Sequence, residues 1–124
     1  MSDSTNRLAI AAGLDTAIVV AFVAIGRNNH DEDPGIAGLA ATAAPFVIGL
    51  AVGWLVTRAW DNPLALRTGL IIWPVTVVVG MLVRRLLGDG TAFSFVIVAT
   101  VFLGVTLLGW RALRKLIVTR RHII

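Results

Sequence analysis

The sequence contains no cysteine and no tyrosine, and only 15% of its 124 residues are charged. Without cysteine, disulfide bonds, thiol catalysis and thiolate metal ligands are excluded. A soluble domain usually carries about 25% charged residues, so the low charge argues against a soluble fold. The seven acidic residues and two histidines match neither a metal-ligand spacing nor a catalytic motif, and no phosphate-binding glycine loop is present. We therefore expect no metal, no cofactor and no enzymatic activity.

Apolar residues are abundant instead, making up 57% of the chain. They form four runs, at about residues 8–26, 36–57, 64–87 and 92–117. Each run is close to the roughly 20 residues that an α-helix needs to cross a hydrocarbon layer of about 30 Å. The connections between the runs are short, which makes consecutive helices antiparallel neighbours. The sequence therefore predicts an all-α fold, an integral membrane four-helix bundle that forms a single transmembrane domain over residues 1–124.

The basic residues predict how this bundle is oriented. Four helices place the two termini and the second connection on one side, which carries eight lysines and arginines, and the other side carries three. Because positive charge is enriched on the cytoplasmic side, we expect residues 1–7 and the basic tail at 118–124 to be cytoplasmic, in the cell membrane. The net charge of +4 then reflects topology and attraction of the tail to anionic lipid headgroups. Nucleic acid is not expected as a partner.

One acidic residue, Asp15, interrupts the first apolar run within GLDTAIVVAFVAIGR. A span that began after Asp15 would be too short to cross the membrane before Arg27. Measured from Leu8, Asp15 lies about 10 Å inside the span at 1.5 Å per residue. A charge at the bilayer centre costs about 2.5–3.5 kcal/mol, so this carboxyl group should face the bundle interior, be paired or be protonated. At a similar depth, Arg111 is the preferred candidate partner and Arg58 the second.

Asp15 supports more than one function. As a buried ionisable group it could bind a small solute, an ion or a proton during transport, which is the leading hypothesis from the sequence. Alternatively, Asp15 and Arg111 form a structural clasp in a non-catalytic accessory or lipid-binding scaffold subunit. A third interpretation is an interfacial aspartate that is wetted through a local bilayer defect.

A second charged group lies on the opposite side, where Arg27, His30, Arg84 and Arg85 follow the first and third apolar runs. Cations at helix C-termini complement the helix dipole and keep the helix ends out of the lipid. The same residues are also compatible with a pocket for an anionic headgroup or metabolite. The sequence alone leaves both interpretations open.

Small residues and tryptophans indicate how the helices pack. The Gly49-x-x-x-Gly53 motif, and a strip formed by Gly13, Ala17 and Ala21, permit close helix approach. They predict that the first and second helices pack tightly, and they are equally compatible with a homo-oligomer, which we expect. The four tryptophans fall in the cytoplasmic half, as in an interfacial aromatic belt, and Trp73, the deepest, is expected to have a packing role.

Several stretches together resemble a known family. They are FVAIGRNNH, APFVIGLAVGW, GLIIWPVTVVVGMLVRR, GDGTAFSFVIVATVF and GWR. This combination is similar to family 3054 of the domains of unknown function, a group of small bacterial and archaeal membrane proteins, over about residues 8–115. The resemblance implies a membrane location and no particular mechanism. Small multidrug exporters are similar in length and also have four helices. Their first helix carries a glutamate where this chain has an aspartate, and they use a membrane tyrosine, whereas this chain has no tyrosine.

Overall fold

Four long helices make up the fold. The computed structural model describes residues 3–29 and 35–123, and side chains over 3–27 and 35–120. The helices are α1 (Asp3–Asn29), α2 (Ile36–Thr57), α3 (Leu66–Leu86) and α4 (Phe93–Ile123), with a short 3-10 turn at Ala59–Asp61. Each α-helix includes a segment that is long and apolar enough to cross a membrane, where a helix satisfies its own backbone hydrogen bonds. The predicted all-α, four-helix membrane fold is confirmed.

The helix ends differ from the apolar runs at three of the four helices. Helix α2 has the predicted bounds, and α3 is shorter than predicted by two residues at its start and one at its end. Helices α1 and α4 extend beyond their apolar runs into the polar ends of the chain. Residues 3–7 and 118–123, which belong to the predicted cytoplasmic segments, are therefore part of these helices. Helical hydrogen bonding does not require apolar side chains, and a run of apolar residues therefore marks the lipid-facing length rather than the full helix.

The bundle is closed because α4 packs back against α1, and this contact is the least extensive among the neighbouring helix pairs. Four phenylalanines fill one end of the core, with adjacent ring centroids 5.4–6.0 Å apart. They come from three helices: Phe22 from α1, Phe46 from α2, and Phe95 and Phe102 from α4. Below them, buried aliphatic side chains such as Val19, Leu50 and Leu103 continue the core.

The two glycines of the Gly-x-x-x-Gly motif pack against α3. A Cβ atom added to Gly49 would lie 2.6 Å from the Thr76 carbonyl oxygen, and one added to Gly53 would lie 3.2 Å from the Ile72 Cα. Helices α1 and α2 are in contact, as predicted, but the glycine motif does not form that contact. The short α2–α3 connection makes these two helices a hairpin, and the glycines lie on the face that meets α3. The strip of Gly13, Ala17 and Ala21 is exposed on α1, so the predicted homo-oligomer stays a prediction.

Trp73 has the packing role that its depth indicated. Its ring lies against Gly104 of α4, where an added Cβ would come within 2.6 Å of the ring atom Cε2. Its indole N–H donates a hydrogen bond of 2.8 Å to the Thr100 carbonyl oxygen. The Trp73 ring fits between α3 and α4 because Gly104 has no side chain there. The Thr100 carbonyl oxygen accepts the hydrogen bond that the buried indole N–H needs.

Candidate functional site

Asp15 and Arg111 form a fully buried ion pair. Two parallel hydrogen bonds connect them: Arg111 Nη2 donates to Asp15 Oδ2 at 2.7 Å, and Arg111 Nη1 donates to Asp15 Oδ1 at 2.9 Å. Both side chains are 0% exposed. This bidentate geometry is the strongest form of the arginine–carboxylate interaction, because each bond is charge-assisted and the planar groups match.

Two tryptophans complete the environment of the carboxylate. Trp54 Nε1 of α2 donates to Asp15 Oδ2 at 3.0 Å, and Trp110 Nε1 of α4 donates to Asp15 Oδ1 at 3.0 Å. Each oxygen therefore accepts one bond from Arg111 and one from an indole. We refer to Asp15, Trp54, Trp110 and Arg111 as the Asp15 clasp. All four bonds come from N–H donors, which is the set that an ionised carboxylate accepts.

Sequence reasoning missed the role of these tryptophans, which it assigned to an aromatic belt. A signal was available: an indole N–H can only donate, and a buried carboxylate needs donors. Trp54 and Trp110 are the two tryptophans that lie at the depth of Asp15, whereas Trp60 is 44% exposed. Their indole groups hold the carboxylate from α2 and α4, so the clasp ties α1 to both.

The remaining face of Arg111 is also satisfied. Its Nε donates to the Pro63 carbonyl oxygen at 3.1 Å, in the α2–α3 connection, and Nη1 also donates to the Leu107 carbonyl oxygen at 3.2 Å. The guanidinium carbon lies 4.4 Å from the ring centroid of Trp110, within cation–π range. Gly69 of α3 leaves room for the arginine, since an added Cβ would lie 2.8 Å from Arg111 Cδ. All four helices therefore meet at Arg111 and Asp15.

The bond to Pro63 also fixes the level of the clasp in the bundle. Arg111 reaches the α2–α3 connection directly, so Asp15 lies near the end of α2 and the start of α3 rather than well inside the bundle. From this level, α1 continues back to Asp3 and α4 continues on to Ile123, twelve residues in each case, or about 18 Å of helix.

Arg58, the second candidate partner, does not contribute to the clasp. Its Nε lies 3.3 Å from Asp61 Oδ2, and its side chain is 71% exposed. Arg58 follows the last residue of α2 in the left-handed conformation, with φ of 50°, and this reversal of the chain turns its side chain away from the bundle. The assignment of Arg58 to a buried pair with Asp15 is corrected accordingly.

The outer basic cluster is divided between two faces. Arg27 and Arg84 line the same cavity, whereas Arg85 lies beside Met81 and Val96 on another face. Adjacent helical residues point about 100° apart, and Arg84 and Arg85 accordingly line different cavities. Arg27 Nη1 donates to Thr42 Oγ1 at 2.7 Å, and Arg85 Nη1 donates to Thr91 Oγ1 at 3.3 Å. His30 lies outside the described residues.

The fold and the Asp15 clasp together describe a small multi-pass membrane protein whose four helices are held together by a buried ion pair. The model of the family described as protein of unknown function (DUF3054) matches residues 12–114. The chain belongs to this family. The matched range includes every residue of the Asp15 clasp and both cavity arginines. No curated protein and no solved structure gives a significant match.

Proposed function

We propose that the protein is a non-catalytic membrane scaffold in which the Asp15 clasp fixes the helices and does not load a solute. The observation that carries this proposal is the saturation of the carboxylate. Asp15 is 0% exposed, and four N–H donors occupy its two oxygens. A cation would find no free oxygen lone pair on Asp15.

Transport through Asp15, the leading hypothesis from the sequence, requires these bonds to exchange. Protonating or metallating the carboxylate would release Arg111, whose side chain is also 0% exposed. An unpaired guanidinium in an apolar interior carries a penalty of several kcal/mol. The clasp contains no second acidic side chain that could receive Arg111 during such an exchange. The geometry therefore favours a permanent structural pair over a transport site.

A flux assay separates the two functions. We expect liposomes that contain the native protein to show the same proton and sodium leak as empty liposomes, with an internal pH dye and a sodium dye as readouts under an imposed potential. Asp61→Asn, which removes an exposed carboxylate, is the matched control. Flux by the native protein would contradict the scaffold, and its loss in a folded Asp15→Asn variant but not in Asp61→Asn would assign that transport to Asp15.

The proposal also includes the orientation of the bundle in the membrane. With both termini cytoplasmic in the cell membrane, the part of α4 beyond Arg111 lies on the inner surface. This part exposes Leu113, Leu116 and Ile117 together with Lys115 and Arg120. Apolar side chains can enter the headgroup boundary while the cations attract anionic lipid. The α4 extension continues the spanning helix without a break, and it is thus suited to contact an anionic inner leaflet where the helix leaves the membrane.

Single cysteines test the orientation, because the native chain has none. We expect Asp89→Cys, in the α3–α4 connection, to react with a membrane-impermeant maleimide in intact cells. Ser4→Cys, in the first turn of α1, should react only after the cells are permeabilised. Labelling of Ser4→Cys in intact cells, with Asp89→Cys protected, would show the opposite orientation.

A further inference from the structure

A cavity of about 520 Å³ lies between the last turns of α1 and the first turns of α4. This volume is within the range of roughly 300–1,000 Å³ that is typical of ligand pockets. Phe22, Phe95 and Phe102 line its inner part, and the rings of Phe22 and Phe102 lie 5.4 Å apart. The cavity is at the end of the bundle away from the Asp15 clasp, so an inference about it does not depend on how the clasp functions.

The cavity opens sideways, towards the surface that contacts lipid. Two residues that line it, Ile25 and Val98, are 50% and 57% exposed on the outer face of the bundle. The opening lies along the α1–α4 contact, which is the least extensive between neighbouring helices. An acyl chain can therefore enter from the membrane without crossing a polar surface.

Two arginines lie at the outer end of the same cavity. Arg27 and Arg84 line it, and the described residues of its lining include no acidic side chain. Arg84 is held in place: Nε and Nη2 donate to the Gly90 carbonyl oxygen at 3.0 and 2.8 Å, and its guanidinium carbon lies 4.6 Å from the ring centroid of Phe95. These bonds use two of its five N–H groups, so three can donate to a ligand without moving the side chain.

We propose that this cavity binds an anionic membrane lipid. One acyl chain lies against the phenylalanines, and the phosphate accepts hydrogen bonds from Arg84. Arginine suits this role because its planar donors match phosphate oxygens. A water-soluble anion would leave the phenylalanine-lined part empty, whereas an amphiphile fills both parts. The ligand is therefore a lipid from the surrounding leaflet rather than free phosphate.

Native mass spectrometry of the delipidated protein in a neutral detergent tests this proposal. The probes are phosphatidylglycerol, phosphatidylcholine of the same chain length, and inorganic phosphate. We expect phosphatidylglycerol to bind and phosphatidylcholine to bind about tenfold more weakly, since phosphatidylcholine has the same phosphate but adds a quaternary ammonium whose positive charge would lie close to the arginines. Inorganic phosphate should not displace the lipid. Displacement by inorganic phosphate would overturn the proposal in favour of a soluble anion.

Three variants distinguish binding inside the cavity from attraction to general surface charge. Arg84→Gln should weaken phosphatidylglycerol binding by about tenfold or more, whereas Arg85→Gln, the adjacent arginine on another face, should leave it unchanged. Gly26→Leu should also abolish binding with both arginines intact, because Gly26 lines the cavity and a Cβ there meets no atom within 4 Å. Equal effects of Arg84→Gln and Arg85→Gln, or full binding by folded Gly26→Leu, would overturn the proposal.

Discussion

Asp15→Asn and Arg111→Gln are each expected to lower the free energy of unfolding by about 3–5 kcal/mol, because each leaves a buried partner without its counter-charge. In Asp15→Asn, the new amide group would also place its own N–H donors against N–H donors of the clasp. The double variant removes both charges, so its loss should be smaller than the sum of the two single losses by on the order of 3 kcal/mol. Reversible unfolding in mixed micelles, followed by circular dichroism, measures this coupling.

A second ion pair, between Arg58 and Asp61, is the control for this comparison of single and double variants. Arg58 and Asp61 are 71% and 61% exposed, and exposed pairs contribute about 0–1 kcal/mol. We expect Arg58→Gln, Asp61→Asn and their combination to change stability by less than about 1 kcal/mol. Similar small effects at both pairs would mean that the Asp15 clasp does not hold the helices together.

Gly49→Ala is expected to destabilise the bundle by about 1–3 kcal/mol, the usual cost of overpacking. The added Cβ would lie 2.6 Å from the Thr76 carbonyl oxygen and 3.1 Å from the Gly80 nitrogen. These are backbone atoms, so no side chain can rotate away and α2 must separate from α3. The same unfolding measurement gives the size of the loss.

Gly13→Ala is the matched control for Gly49→Ala. Gly13 also lies within a membrane helix, but it is exposed, and a Cβ there meets no atom within 4 Å. Because alanine favours helix more than glycine does, we expect this variant to be as stable as the native protein or slightly more stable. A loss at Gly13 that matches the loss at Gly49 would show that the α2–α3 contact is not the cause.

Much of the fold could be predicted from the sequence because the length of an apolar run is set by the thickness of the membrane. Helix α2 shows this best, since its run and its helix both cover Ile36–Thr57. The partner of a glycine motif could not be predicted in the same way. The spacing of Gly49 and Gly53 identifies a face for close packing, and which helix meets that face depends on how the chain turns at its connections.

The candidate site was predictable only in part. The depth of a lone carboxylate limits its partners, which made Arg111 a reasonable choice for Asp15. The tryptophan donors were missed because tryptophan is common at membrane interfaces for reasons unrelated to hydrogen bonding. The outer basic residues were compatible with a pocket for an anion, but the cavity beside Arg84 and its phenylalanine lining could not be predicted, since they depend on how α1 and α4 pack.

Carbodiimide labelling tests the state of Asp15 most directly. A carbodiimide that partitions into the membrane modifies protonated carboxyl groups, and peptide mass spectrometry locates the product. We expect Asp15 to remain unmodified in the native protein, since its oxygens face four N–H donors and are 0% exposed. It should become reactive in Arg111→Gln. Modification of Asp15 in the folded native protein would contradict a sealed clasp.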